Sequence, residues 1–388
     1  PAPAPAPAPA PAVSVPYSLP SAGMAVSISS NTANAIKPAA MSAFNWGYSL
    51  FNSYGSGTFV PDFSAAGAFV IAGSGGHNAP PNVDAAVFDF ATGAWKLVGN
   101  ANGIAARESD YAPGETTNYG ELVAATAGQV PAPSHEYAIT TYLPSSMGGG
   151  PKGSFVKMGS AAMTTAGNFG NGVHKMDLST GLWTRMTSDK LDFLWAYEST
   201  TVFDPVTQRF YFIPDSFHNR NSLQYFDIAT NTVKWSATYP YPADYTGGDY
   251  QTTWLDPSRR LILNMRSGYP LRALDLNNIS AGWAVLATSG TPPSAPNRWA
   301  YYEPDGKFYT RGNASGQVLN RLTPPADWKS GTWVYDTVTV GGAALPNYSN
   351  TAGNGTRHYA KLFYVPSVKS LAWISGEANP VVLVRPPQ

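Results

Sequence analysis

The chain has 388 residues, of which 43% are hydrophobic and only 12% charged, about half the charged share usual for soluble proteins. Lys plus Arg and Asp plus Glu number 24 each, so there is no basic excess to leave an electrostatic footprint for nucleic acid or anionic lipid. Cysteine is absent, which removes disulfides, thiol nucleophiles and cysteine-ligated metals and fits a bacterial or viral product. No apolar run approaches the roughly 18 residues a membrane span requires, so no membrane insertion is expected.

Residues 1–12 are six Pro-Ala pairs. Proline at every second position excludes helix and ladder pairing and favours polyproline II, a stiff spacer of roughly 35 Å at about 3.1 Å per residue. Residues 1–22 are therefore expected to form an extended stalk, with one folded domain over 23–388. The chain opens at Pro1 rather than Met, in keeping with removal of an N-terminal piece. Within the folded part, Met24–Ser29 alternates Met, Val and Ile with small residues in the manner of a strand.

From residue 44 a repeat sets in, and it decides the fold class. Each copy begins with a short apolar or aromatic strand ending at proline: Thr58-Phe-Val-Pro61, Thr141-Tyr-Leu-Pro144, Val202-Phe-Asp-Pro205, Trp254-Leu-Asp-Pro257, Tyr301-Tyr-Glu-Pro304 and Phe363-Tyr-Val-Pro366. These prolines are 83, 61, 52, 47 and 62 residues apart, near the period of a propeller blade. Second strands are expected at Ala68–Ala72, Ser154–Met158, Arg209–Ile213, Leu261–Met265, Lys307–Thr310 and Ser370–Ile374. A third strand follows as apolar-Asp-apolar, then a turn and Trp: Phe88-Asp-Phe to Trp95, Met176-Asp-Leu to Trp183, Phe226-Asp-Ile to Trp235 and Leu274-Asp-Leu to Trp283. The fifth copy has Val318–Leu322 and Trp333, and the sixth ends at Val381–Val384.

The segment Gly73-Ser-Gly-Gly-His77 followed by Phe88-Asp-Phe-Ala-Thr-Gly-Ala-Trp95 resembles the kelch repeat, and Met176-Asp-Leu-Ser-Thr-Gly-Leu-Trp183 does so nearly as well. The resemblance spans roughly residues 44 to 386 and implies an all-β fold, a single β-propeller of six blades, with seven as the alternative. The last copy lacks an outer strand, and Met24–Ser29 is expected to supply it and close the ring.

Propeller topology then places side chains. The start of each first strand and the loop after each second strand share one face, where the channel opens. That face collects His77, His135, Trp195, His218, Asp249, Arg266, Arg298, Trp299, Arg311, Arg357 and His358 as candidate ligand contacts. The histidines sit in different copies with no local ligand spacing, so no metal site is expected. The glycine clusters join strands and do not open a helix, so neither a nucleotide nor any other cofactor is expected. The insertion from Ile104 to Pro131, with Arg107, Glu108, Asp110, Glu115 and Glu121, exceeds an ordinary connection and marks a functional or disordered loop.

Two propeller enzymes bear on function. Galactose oxidase is similar in its kelch-like blades, but its cofactor needs a cysteine, which this chain lacks. Sialidases use arginines with a tyrosine, a glutamate and an aspartate. Arg298, Arg357, Arg266 and Arg311 with Tyr359, Glu136 and Asp249 supply those residue types, but the Asp-box repeats of that family are missing. The leading expectation is thus a non-catalytic binding module, extracellular or on a virion surface, recognising a glycan or a surface protein. A glycosidase or lyase using Glu136, Asp249 and Tyr359, and a scaffold docked to neighbouring structural subunits, are the alternatives.

Overall fold

A computed structural model describes residues 13–38, 51, 55–73, 83–102, 129–131, 138–159, 172–189, 191, 200–213, 223–238, 251–266, 269–293, 299–311, 316–345, 361–374, 376 and 378–387, with the side chains of Gln251 and Arg266 excepted. Its strands form six antiparallel-cored sheets, one for each sequence copy. Blade 1, for example, runs Thr58–Val60, Ala68–Ala72, Ala85–Asp89 and Ala94–Val98 from inside to outside. The chain is a six-bladed, all-β propeller. The second strands fall where the repeat puts them, at Ala68–Ala72, Ser154–Met158, Arg209–Ile213, Leu261–Arg266, Lys307–Thr310 and Ser370–Trp373.

The N-terminal strand Met24–Ser27 pairs antiparallel with Val382–Arg385 and becomes the outer strand of blade 6. The N-terminal strand is therefore laddered into the last blade, and the chain running on from it leads to blade 1. Behind that ladder, the Phe363 ring of blade 6 stacks on Phe69 and Phe59 of blade 1, with centroids 5.3 and 5.6 Å apart. Val13, Val15 and Tyr17 pack on the same core, and the Tyr17 hydroxyl donates to the Phe90 carbonyl at 2.6 Å.

The aspartate of the apolar-Asp-apolar unit is a turn former. Asp89 accepts from the Ala91 amide at 3.0 Å, Asp177 from Ser179 at 2.8 Å, Asp227 from Thr230 at 3.1 Å and Asp275 from Asn277 at 2.9 Å. Each carboxylate holds the start of the turn between third and fourth strands, the local bond that makes Asp favoured there. Four residues past Asp89, Asp177 and Asp227, at Gly93, Gly181 and Asn231, φ is 66°, 76° and 54°. The first turn of blade 3 has the same demand at Gln208, with φ 54°. Gly181 has a second reason to be glycine, since a Cβ there would lie 1.9 Å from the Gly99 carbonyl oxygen.

Trp95, Trp183 and Trp283 face Phe88, Met176 and Leu274 across the outer ladder. Trp235 does not take that place. Val233 faces Phe226, while Trp235 pairs with Gln224 and is 41% exposed. The reason is turn length. The Asp-to-Trp interval is six residues in blades 1 and 2 and eight in blades 3 and 4. Blade 4 absorbs the two extra residues in the 3-10 turn Ile279–Ala281, whereas blade 3 keeps the short turn and carries its Trp past the core position.

The outer edges are sealed by a device with no counterpart in the repeat itself. The segment leaving one blade crosses to the outer strand of the next. Asn31 donates to the Trp95 carbonyl at 3.0 Å and accepts from the Trp95 amide at 2.7 Å. Asn102 repeats this on Trp183 at 3.0 and 2.8 Å. Asp189 accepts from Val233 at 2.9 Å, and the two-residue strands Thr288–Ser289 and Gly341–Gly342 lie parallel to the outer strands of blades 5 and 6. Among the described residues, five of the six outer strands are covered in this way.

Two outcomes test these assignments. A glutamine held left-handed is strained, so Gln208→Gly should raise the unfolding free energy by roughly 0.5–1 kcal/mol in urea melts. Gly181→Ala should lower it by roughly 1–3 kcal/mol. The opposite sign for Gln208→Gly would show that this turn is not left-handed.

The second outcome concerns Asp89. Burial opposes its ionisation, but bonds from Lys96 and Ser64, with the Ala91 amide, outweigh that and hold its carboxyl below the ordinary aspartate value of 3.8. A folded pKa below the unfolded one gives stability that is present at neutral pH and lost as pH falls through the folded value. Asp89→Asn should therefore be less stable than the parent at neutral pH, with the gap closing below about pH 4. A gap that persists unchanged into strong acid would contradict that role.

Candidate functional site

The six innermost strands, Thr58–Val60, Thr140–Leu143, Thr200–Asp204, Gln251–Asp256, Ala300–Tyr302 and Leu362–Val365, are each paired on one side only within their own blade. An edge strand leaves alternate backbone N–H and C=O groups aimed away from its sheet. In this ring all six edges converge on the axis. Some of those groups are used between blades: the Thr201 amide donates to the Ala138 carbonyl at 2.8 Å, and the Thr140 hydroxyl to the Gly57 carbonyl at 3.2 Å.

Along the axis lies a pocket of about 350 Å³, walled by these strands and reaching Pro205 and Pro257 at the turn end. Its size is at the low end for small-molecule sites. The wall is dominated by rings that precede the anchor prolines: Phe59, Tyr142, Phe203, Trp254, Tyr301 and Phe363. Their arrangement is fixed by mutual contact. Tyr142 meets Phe203 edge-on at 5.3 Å, Trp254 lies 5.8 Å from Trp299, and Phe363 stacks on Phe59. Thr58 and Thr141 join the wall, and among the described residues no charged one lines it.

The tyrosines of the wall are held neutral. Burial and the neighbouring Asp62 push the Tyr142 phenol up to about 12. Burial raises Tyr301, although a hydrogen bond from Ser258 works the other way, and burial with Glu303 raises Tyr364. In each case the named neighbour belongs to the turn of the preceding blade. The Tyr301 phenol is thus bonded to the preceding blade through Ser258.

The residues expected at the opposite mouth fare differently. Strand register does bring first-strand starts beside second-strand ends, with Gln251 opposite Arg266 and Leu362 opposite Trp373. Trp299 is 2% exposed, packs against Trp254 and Tyr335, and also lines the axial pocket. Arg311 is 1% exposed, donates to the Gly316 and Val318 carbonyls at 2.6 and 3.2 Å, and lies over the Trp373 ring at 5.8 Å. Arg266 ends its strand, and its side chain is outside the described residues. So are His77, His135, Trp195, His218, Asp249, Arg298, Arg357 and His358, together with Glu136 and Tyr359 and the insertion residues Arg107, Glu108, Asp110, Glu115 and Glu121. Among the described residues no group of three or more His, Asp or Glu is arranged to hold a metal ion. No helix among them is long and apolar enough to cross a membrane.

The aromatic wall was on view in the repeat but carries no polar signature of a site. Its signal is the ring one to three places before each anchor proline, repeated around the circle.

No protein-family model matches the chain, and no curated protein matches it. Among solved structures, it is similar to a structural-genomics protein of unknown function from Bacteroides thetaiotaomicron, at 13% identity and a TM-score of 0.37 over 60% of this chain. The match spans 55% of that protein's length. It is also similar to the major Malassezia sympodialis allergen Mala s 1, at 10% identity and a TM-score of 0.42, covering 87% of this chain and 92% of that one. At such scores the propeller assignment rests on the strand order of the chain itself.

Proposed function

We propose that this chain is a non-catalytic binding module that takes a neutral carbohydrate into its axial pocket. Its setting in this reading is extracellular or on a virion surface, with the Pro-Ala segment as a stalk. The observation that carries the proposal is the pairing of an uncharged aromatic wall with six converging backbone edges.

A sugar ring offers C–H faces to stack on aromatic rings and hydroxyls that both donate and accept. Backbone edges and the Thr58 and Thr141 hydroxyls are partners for such hydroxyls, whereas an aliphatic ligand would bury those polar groups without replacement bonds. An anionic ligand would meet no cation among the described residues of the wall. Among the described residues the pocket is lined by aromatic, aliphatic and hydroxyl groups, which suit binding. The low charge content and the absence of cysteine are compatible with display outside the cytoplasm. A kelch-type ancestry is part of the same proposal and rests on the Phe88 to Trp95 and Met176 to Trp183 segments.

The intact chain should bind neutral members of an array of immobilised glycans and leave them uncleaved on long incubation. Phe203→Leu keeps apolar bulk but removes a ring face, and should weaken the best binder about tenfold while unfolding stays cooperative. Unchanged affinity would move the site off this wall, and no glycan binder at all would turn the search to protein partners. Because the wall tyrosines titrate above their ordinary range, affinity should be flat between about pH 5 and pH 9. A titration centred near neutrality would instead implicate a histidine.

A further inference from the structure

We infer that the pocket reads the end of a glycan chain and not its interior. The inference rests on the carbohydrate reading above and adds to it the direction of approach. A groove on a protein surface accepts a polymer laid along it. An axial pocket accepts one only end-first, provided that the ring around it has no lateral gap.

The ring is closed at every seam. Blades 1 and 2 are joined beside the axis by the Ser56 and Thr140 hydroxyls, 2.8 Å apart. Blades 2 and 3 are joined by the parallel bridge between Ala138 and Thr200. Between blades 3 and 4, Arg260 pairs with Asp204 at 2.5 Å, and Val202 and Ile213 share a core with Ile262 and Leu274. Trp254 packs on Trp299 across the seam of blades 4 and 5, and Tyr302 meets Tyr364 edge-on at 5.4 Å across that of blades 5 and 6. The last seam carries the Phe59–Phe363 stack and, outside it, the segment after Met24–Ser27, whose Asn31 clamps Trp95 of blade 1.

Opening any seam sideways would expose buried apolar surface, and opening the last would also break the Asn31 clamp on Trp95. The closing strand therefore has a recognition consequence. A ring closed at every seam cannot spread to let the middle of a polymer slip in. Only a segment with a free end can reach Phe203 or Tyr301, and the 350 Å³ volume limits how much of that end is read.

The experiment uses the intact chain on an array of oligosaccharides of known sequence, all tethered through their reducing ends. The expected result is that binders share their non-reducing terminal residue, and that one further sugar added beyond that residue lowers affinity at least tenfold. Titration calorimetry with free oligosaccharides should show affinity levelling off once the chain exceeds the length held by the pocket. Binders that share only an internal segment, or equal affinity with the shared sugar terminal or internal, would overturn end-on reading and leave carbohydrate binding intact. No binder on the array would overturn both.

Discussion

Every blade of this propeller has two strands whose backbone is half unpaired, and the disposal of those edges organises the molecule. An exposed edge is a template for pairing with other chains, so a stable fold must cover it, pair it or enclose it. Here, among the described residues, five of the six outer edges are covered by the segment arriving from the preceding blade, and the inner edges are enclosed on the axis. The closing strand Met24–Ser27 belongs to the same solution. It supplies the missing outer strand of blade 6 and is itself flanked by Gly341–Gly342.

Enclosing the inner edges has a chemical consequence. Six rows of donors and acceptors face one narrow volume, and the side chains between them are mostly flat rings. Because the rings are braced against one another, the wall is rigid before any ligand arrives. A rigid wall binds without an ordering cost, which is how a pocket of modest volume acquires useful affinity. The hydroxyl chemistry of sugars matches such a wall better than aliphatic or ionic chemistry does.

The fold was legible because its determinants are local. Prolines end the first strands, Asp holds the outer turns, and Gly or Asn follows where the chain turns left-handed, as at Gly93, Gly181 and Asn231. Alternation in Met24–Ser29 was enough to find the closing strand because the sixth copy visibly lacked one. The clamps of Asn31 and Asn102 were not legible, since each acts on a residue more than sixty positions away and lies in a connecting segment with no repeat pattern. Trp235 misled because its spacing fits a longer turn that only blade 4 contains. The axial wall was hidden for another reason: rings in first strands read as core filling, and only the closed circle shows that they share an axis. Charged residues drew the sequence reading to the other mouth, where Arg311 is committed to backbone carbonyls and most of the rest lie outside the described residues.

The central claim is that the axial wall is where this protein binds. Hydrogen–deuterium exchange with and without the strongest array binder tests it directly. The account predicts that protection appears in the innermost strands, Thr58–Val60, Thr140–Leu143, Thr200–Asp204 and Ala300–Tyr302, whose amides line or flank the pocket. Protection confined to residues 74–82, 132–137, 214–222 and 351–360, with none in those strands, would contradict it.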